Sequence, residues 1–169
     1  MIHASVFVGV SVDGFLARLD GTFDFLEAGG GEAHGFEEFF ETVDVLLMGR
    51  MTYEVVRQFT EWPYGTKPVF VLSTNALPED DRIERLEGEP RELLGTLEAR
   101  GFTHVYVDGG LTIQRFLRAG AIDRIVVTRV PVLIGTGIPL FGPLEKDILL
   151  QHVATRAYPS GLVQSEYSL

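Results

Sequence analysis

Three short apolar runs stop at residues suited to a turn. Asp44 to Met48 ends at Gly49, Pro68 to Ser73 ends in hydroxyls, and His104 to Val107 runs into Asp108-Gly109-Gly110. Short runs with no polar alternation mark strands buried on both faces, the habit of parallel sheets. A helical pattern follows the first and third runs at once, and the second after a turn-rich stretch at 75–89 with room for a short edge strand. Alternating strands and helices imply right-handed crossovers that cover both faces of one sheet.

The rest of the chain fits that frame. Ile2, Ala4, Val6, Val8, Val10 and Val12 share one parity, so residues 2–12 form a strand. Phe36, Phe39, Phe40 and Val43 recur at helical spacing. Thr52 to Phe59 reads as a helix. Another opens at Pro90 and closes at Gly101, and a third runs from Gly110 to Ala119. Ile122 to Ile134 is the longest β-like segment, and Pro131 predicts a bulge or an edge there. Residues 148–158 and 162–169 form a hairpin around Pro159-Ser160-Gly161. The long Gly- and Asp-rich stretch at 13–35 is too long for an idle connection and is expected to be functional. The reading is an α/β fold with a mixed, mostly parallel central sheet, flanking helices and an antiparallel C-terminal hairpin. It is expected to be a single domain over residues 1–169.

Composition narrows the function. There is no cysteine, which removes disulfides, thiolate metal sites and a cysteine nucleophile. His3, His34, His104 and His152 are scattered without metal-ligand spacing, so no metal is expected. The net charge is −10 with no basic stripe, which argues against nucleic acid. No apolar run approaches the ~20 residues that span a bilayer, and the first residues alternate like a strand rather than a signal peptide. The expected location is cytoplasmic.

Five turns carry polar residues that chemistry could use. Met48-Gly49-Arg50-Met51-Thr52 closes a strand and opens a helix. Its free N–H groups, the guanidinium of Arg50 and the hydroxyl of Thr52 suit a phosphate. An ordinary capped turn with a surface arginine would read the same way. Ser73 and Thr74 end the next strand and would stand beside Arg50. Gly109 and Gly110 let a pyrophosphate approach backbone N–H groups, although paired glycines are common in turns. Gly135 and Gly137 mark a tight loop; no helix follows, so they are no Rossmann fingerprint. Ser11-Val12-Asp13-Gly14 leaves the first strand, where Asp13 is a candidate proton relay or simply part of an Asp-Gly turn.

Taken in order, these pieces resemble a known family. Met48-Gly49-Arg50-Met51-Thr52-Tyr53-Glu54, Val71-Leu72-Ser73-Thr74 and Asp108-Gly109-Gly110 are similar to the cofactor side of dihydrofolate reductase. Ser11-Val12-Asp13-Gly14 with Ala17 resembles the reductase domain of riboflavin biosynthesis, the reductase part of the bacterial bifunctional deaminase-reductase. So do Gly120-Ala121-Ile122-Asp123-Arg124 and Pro131 through Phe141. The resemblance implies a dihydrofolate reductase-like fold, NADPH as cofactor and a homodimer, which the long strand 122–134 and the terminal hairpin also suggest, since apolar strands left at an edge invite pairing. It places Gly49, Arg50 and Thr52 at the phosphates, with Arg50 toward the 2′-phosphate and Ser73 beside it. Gly109 and Gly110 then lie by the pyrophosphate and nicotinamide, with Gly135 and Gly137 near the cofactor. Ser11, Asp13 and Ala17 line the nicotinamide and substrate.

The implied activity is that of an oxidoreductase similar to 5-amino-6-(5-phosphoribosylamino)uracil reductase, moving hydride to a pyrimidine- or pterin-like small molecule. The alternatives are a dihydrofolate reductase-type enzyme and a non-catalytic NADPH-binding or ligand-sensing module. Two departures bear on them. The first helix presents Phe36, Phe39 and Phe40 where dihydrofolate reductases hold an acid, and Phe25 stands for their substrate-loop tryptophan. The zinc motif of a fused deaminase is absent.

Overall fold

A computed structural model describes residues 1–169. The strands are β1 (His3–Ser11), β2 (Phe15–Ala17), β3 (Val45–Gly49), β4 (Val69–Leu72), β5 (Ile83–Leu86), β6 (His104–Asp108), β7 (Arg124–Val130), β8 (Ile138–Pro139), β9 (Gln151–Ala157) and β10 (Val163–Ser168). The helices are α1 (Phe36–Thr42), α2 (Arg50–Val56), α3 (Pro90–Ala99) and α4 (Gly110–Arg118), with a 3-10 turn at Asp24–Gly29.

Eight strands form one sheet in the order β5-β4-β3-β6-β1-β7-β10-β9, and β2 pairs with β8 apart from it. All pairs from β5 to β7 are parallel, while β10 runs antiparallel to both β7 and β9. This is the mixed, mostly parallel sheet with a C-terminal hairpin that the alternation of runs implies.

The continuous apolar runs are explained by the two cores. Val45, Leu47, Val105 and Val107 face one side, with Leu93 and Leu97 of α3 and Ile113 and Phe116 of α4. Leu46, Met48, Val69 and Tyr106 face the other, with Phe39 of α1 and Tyr53 and Val56 of α2. Successive strand residues point to opposite faces, so a strand covered on both must be apolar at every position.

The longest β-like segment is shorter than its sequence implies. β7 ends at Val130, and Pro131 terminates the strand rather than bulging it. The amide of Val132 turns back onto the carbonyl of Val130 at 2.7 Å. β7 also lies inside the sheet, between β1 and β10, and the exposed margin on that side is β9. The expectation of an unpaired 122–134 edge is therefore corrected. The apolar residues of β7 are buried by neighbouring strands and both flanking layers, not left for a partner.

Strand order positions the site. From β1 the chain moves outward through β3, β4 and β5, then returns to insert β6 between β3 and β1. Ligands in open α/β sheets settle outside the carboxyl ends of strands at such a reversal.

Candidate active site

A cleft of about 840 Å³ opens at this reversal. Its floor is the end of β3 and of β6, where Met48 stands opposite Asp108. Gly49, Arg50 and Thr52 line it from the turn into α2, and Gly109, Gly110 and Thr112 from the turn into α4. The two turns touch. A Cβ on Gly49 would come within 2.6 Å of Thr112 Oγ1, and one on Gly109 within 2.5 Å of Thr52 Oγ1. Gly109 also has φ +96°, a conformation costly for other residues. The hydroxyls of Thr52 and Thr112 make no hydrogen bond within the protein, so both are free to donate into the cleft.

α2 has only seven residues, too short for a strong dipole, so positive charge at this turn comes mainly from the Arg50 side chain. Arg50 is about half exposed and lies 3.7 Å from Glu54, a loose ion pair that a phosphate can replace. Ala17 and Gly137 line the cleft from the β2–β8 side. The peptide between Gly109 and Gly110 is trans, as is every other.

Five of the expected site residues stand off the cleft wall. Ser73 follows the cleft-lining Leu72, but its hydroxyl folds back on the backbone of Asn75, donating at 2.8 Å and accepting at 3.1 Å. Thr74 beyond it is exposed. Ser11 is fully buried, and its Oγ accepts the amide of Phe15 at 3.0 Å. Asp13 accepts the amides of Gly135 at 2.8 Å and Ile134 at 3.3 Å, so Gly135 serves this loop closure. Hydrogen bonds from the Ser11 side chain and then these amides hold the Asp13 carboxyl below its usual range. A carboxylate so stabilised is a poor proton donor.

Asp108 has the opposite character. It ends β6 inside the cleft, where burial pushes its carboxyl up to about 6 against one opposing hydrogen bond from the Gly109 amide. Its charge joins burial in raising Tyr64 and Tyr106. Asp108 thus joins Asp13 as a candidate proton donor, and unlike Asp13 it lines the cleft. The signal was visible as an acid at a strand end beside paired glycines, although the sequence alone reads it as part of a turn.

The aromatic wall was also missed. Phe7, His34, Phe36 and Tyr106 line the cleft, with Phe7 and Phe36 edge-to-face at 5.4 Å and Phe36 and Tyr106 at 6.2 Å. The Tyr106 hydroxyl donates to the Phe7 carbonyl at 2.9 Å. The helical spacing of Phe36, Phe39 and Phe40 reads as core, yet only Phe39 is fully buried. The 13–35 segment supplies Leu16, Gly21, Phe23 and Leu26 to the opposite wall. Phe25 packs inward beneath Arg18 and does not reach the cleft.

Residues 3–164 match the model of the RibD C-terminal domain. The chain belongs to that family. It has relatives in Bacillus subtilis (strain 168). It is 31% identical over 157 residues to the uncharacterized protein YwjB, covering 90% of each. It is 27% identical over 173 residues to the uncharacterized protein YyaP, covering 95% of this chain and 91% of that one. A crystal structure from Shewanella sp. PV-4, provisionally described as a riboflavin biosynthesis protein, is 37% identical with a TM-score of 0.91, covering 99% and 98% of the two chains. Dihydrofolate reductase from Enterococcus faecalis, complexed with NADP(H), shares the fold at 15% identity and TM-score 0.71, covering 98% and 95%. No helix is long and apolar enough to cross a membrane.

Proposed function

We propose that this chain is an NADPH-dependent reductase, one reductase domain over residues 1–169, working in the cytoplasm as a homodimer on a pyrimidine- or pterin-like heterocycle. Membership of the RibD C-terminal domain family supports an oxidoreductase. The observation that carries the reading is the crossing of the β3–α2 and β6–α4 glycine turns at the cleft, with Arg50 on one and Asp108, whose carboxyl burial raises, on the other. Those turns suit the cofactor: Arg50 and the hydroxyls of Thr52 and Thr112 offer a charged fork and two unpartnered donors to phosphate oxygens. NADPH, when bound, supplies the hydride.

Reducing a C=N or C=O bond takes a hydride at carbon and a proton at the heteroatom. A carboxyl with a pKa near 6 is partly protonated close to neutrality and regains its proton readily, the condition for general acid catalysis. Asp108 would hold that proton toward the substrate heteroatom, while the aromatic wall orients the ring and limits water. Dimerisation is supported by β9, which pairs only with β10 and is exposed at all seven residues.

A calorimetric titration with NADPH and, separately, NADH at one fixed salt concentration tests the cofactor. Preference for NADPH supports the reading. Failure to bind either dinucleotide sinks it.

A further inference from the structure

The charge of the cleft divides it into two unlike halves. Its only lysine or arginine side chains are Arg50 and Arg115. Arg115 donates to the Gly88 carbonyl at 2.7 Å and pairs with Glu89 at 3.0 Å, so it is already engaged. Arg50 sits at the turn proposed for the cofactor's phosphates. The rest of the wall includes Phe7, Phe23, Leu26, Phe36, Phe59 and Tyr64, with His34, whose Nδ1 lies 3.0 Å from the Glu32 carbonyl, and one acid, Asp108.

Cations around that half are engaged or stand off its wall. Arg18 pairs with Asp24 at 2.6 Å, and Arg57, which shares Glu54 loosely with Arg50, does not line the cleft. Lys67 lies over the Phe40 ring, 5.0 Å from its centroid, and donates to the Val43 carbonyl.

We propose that the substrate of this chain carries no phosphate: it is an uncharged, planar heterocycle held between the aromatic wall and the wall that the 13–35 segment supplies. The inference rests on the reductase reading. A phosphate group brings roughly −1.5 to −2 charges and needs matching donors. Here it would enter a largely apolar half that no unpaired lysine or arginine lines, with His34 as the one ionisable nitrogen base, close to the Asp108 carboxyl, on a protein of net charge −10. An uncharged ring meets none of those costs. It can pack against the single wall that Phe7, Phe36 and Tyr106 form, facing Phe23 and Leu26, and turn its reducible heteroatom toward Asp108. The chain therefore departs from the phosphoribosylated uracil used by the reductase it resembles, and an upstream dephosphorylating reaction must supply its substrate if the two chemistries are linked.

Matched pairs that differ only by phosphate test this. The intact protein is titrated with 5-amino-6-(ribosylamino)uracil and its 5′-phosphate, and with riboflavin and flavin mononucleotide, each with and without saturating NADPH. The expected result is that the unphosphorylated member of at least one pair binds at least about tenfold more tightly and that neither pair favours the phosphate. Equal or tighter binding of a phosphorylated member overturns the proposal. So does the failure of both unphosphorylated compounds to bind at about 1 mM. The arms without NADPH read the phosphate preference even where the dinucleotide does not bind, so the two readings can fail separately.

Discussion

At the residue scale, Asp108 and Arg50 make opposite demands. Burial of Asp108 favours its protonated form, so the folded state holds that proton more tightly than the unfolded chain does. Stability contributed by this group is therefore lost as pH rises from near 4 through about 6, and the full penalty persists above that. Asp108→Asn should raise stability at pH 7.5 by up to about 3 kcal/mol, a gain that vanishes near pH 4; denaturant melts at the two pH values check this. The same variant should lose reductase turnover, and with it the fall in rate of the parent protein above pH ~6. Arg50→Ala should weaken NADPH about 10- to 100-fold, with little effect on NADH, since a charge-assisted contact contributes about 1.5–3 kcal/mol. Calorimetry with both dinucleotides reads that selectivity.

At the element scale, the crossing of the β3–α2 and β6–α4 turns explains both glycines, for different reasons. Gly49 has φ −76°, which any residue adopts, so only its approach to Thr112 demands a glycine. Gly109 combines an approach to Thr52 with φ +96°. Gly49→Ala should be largely rescued by Thr112→Ala, whereas Thr52→Ala should leave Gly109→Ala destabilised by about 1–3 kcal/mol through backbone strain. Double-mutant cycles on unfolding free energy separate the cases. The sequence marks both positions as turns. It does not reveal that the turns touch, because residues 49 and 109 become neighbours only when β6 inserts beside β3.

At the scale of the whole molecule, the sheet leaves β9 as its hairpin-side edge, with Val153 and the preceding Leu149 and Leu150 exposed. An open strand with apolar neighbours invites pairing with a second copy. Sedimentation at micromolar concentration should give twice the 18.7 kDa chain mass, and Val153→Lys should shift it toward the monomer. A monomeric parent protein would refute the homodimer.

The alternation of buried runs and helical patterns was enough to establish the α/β class, the parallel strands and the terminal hairpin. Those features follow from local periodicity and turn chemistry, which every residue carries with it. The turns at Gly49 and Gly109 were legible for the same reason. The tertiary structure alone decided which polar residues meet. It gave Asp13 the amides of Ile134 and Gly135, folded Ser73 onto Asn75, and left Asp108 short of compensating partners among aromatic side chains. Desolvation and charge at a point depend on strands distant in sequence, and strand order is where that information enters.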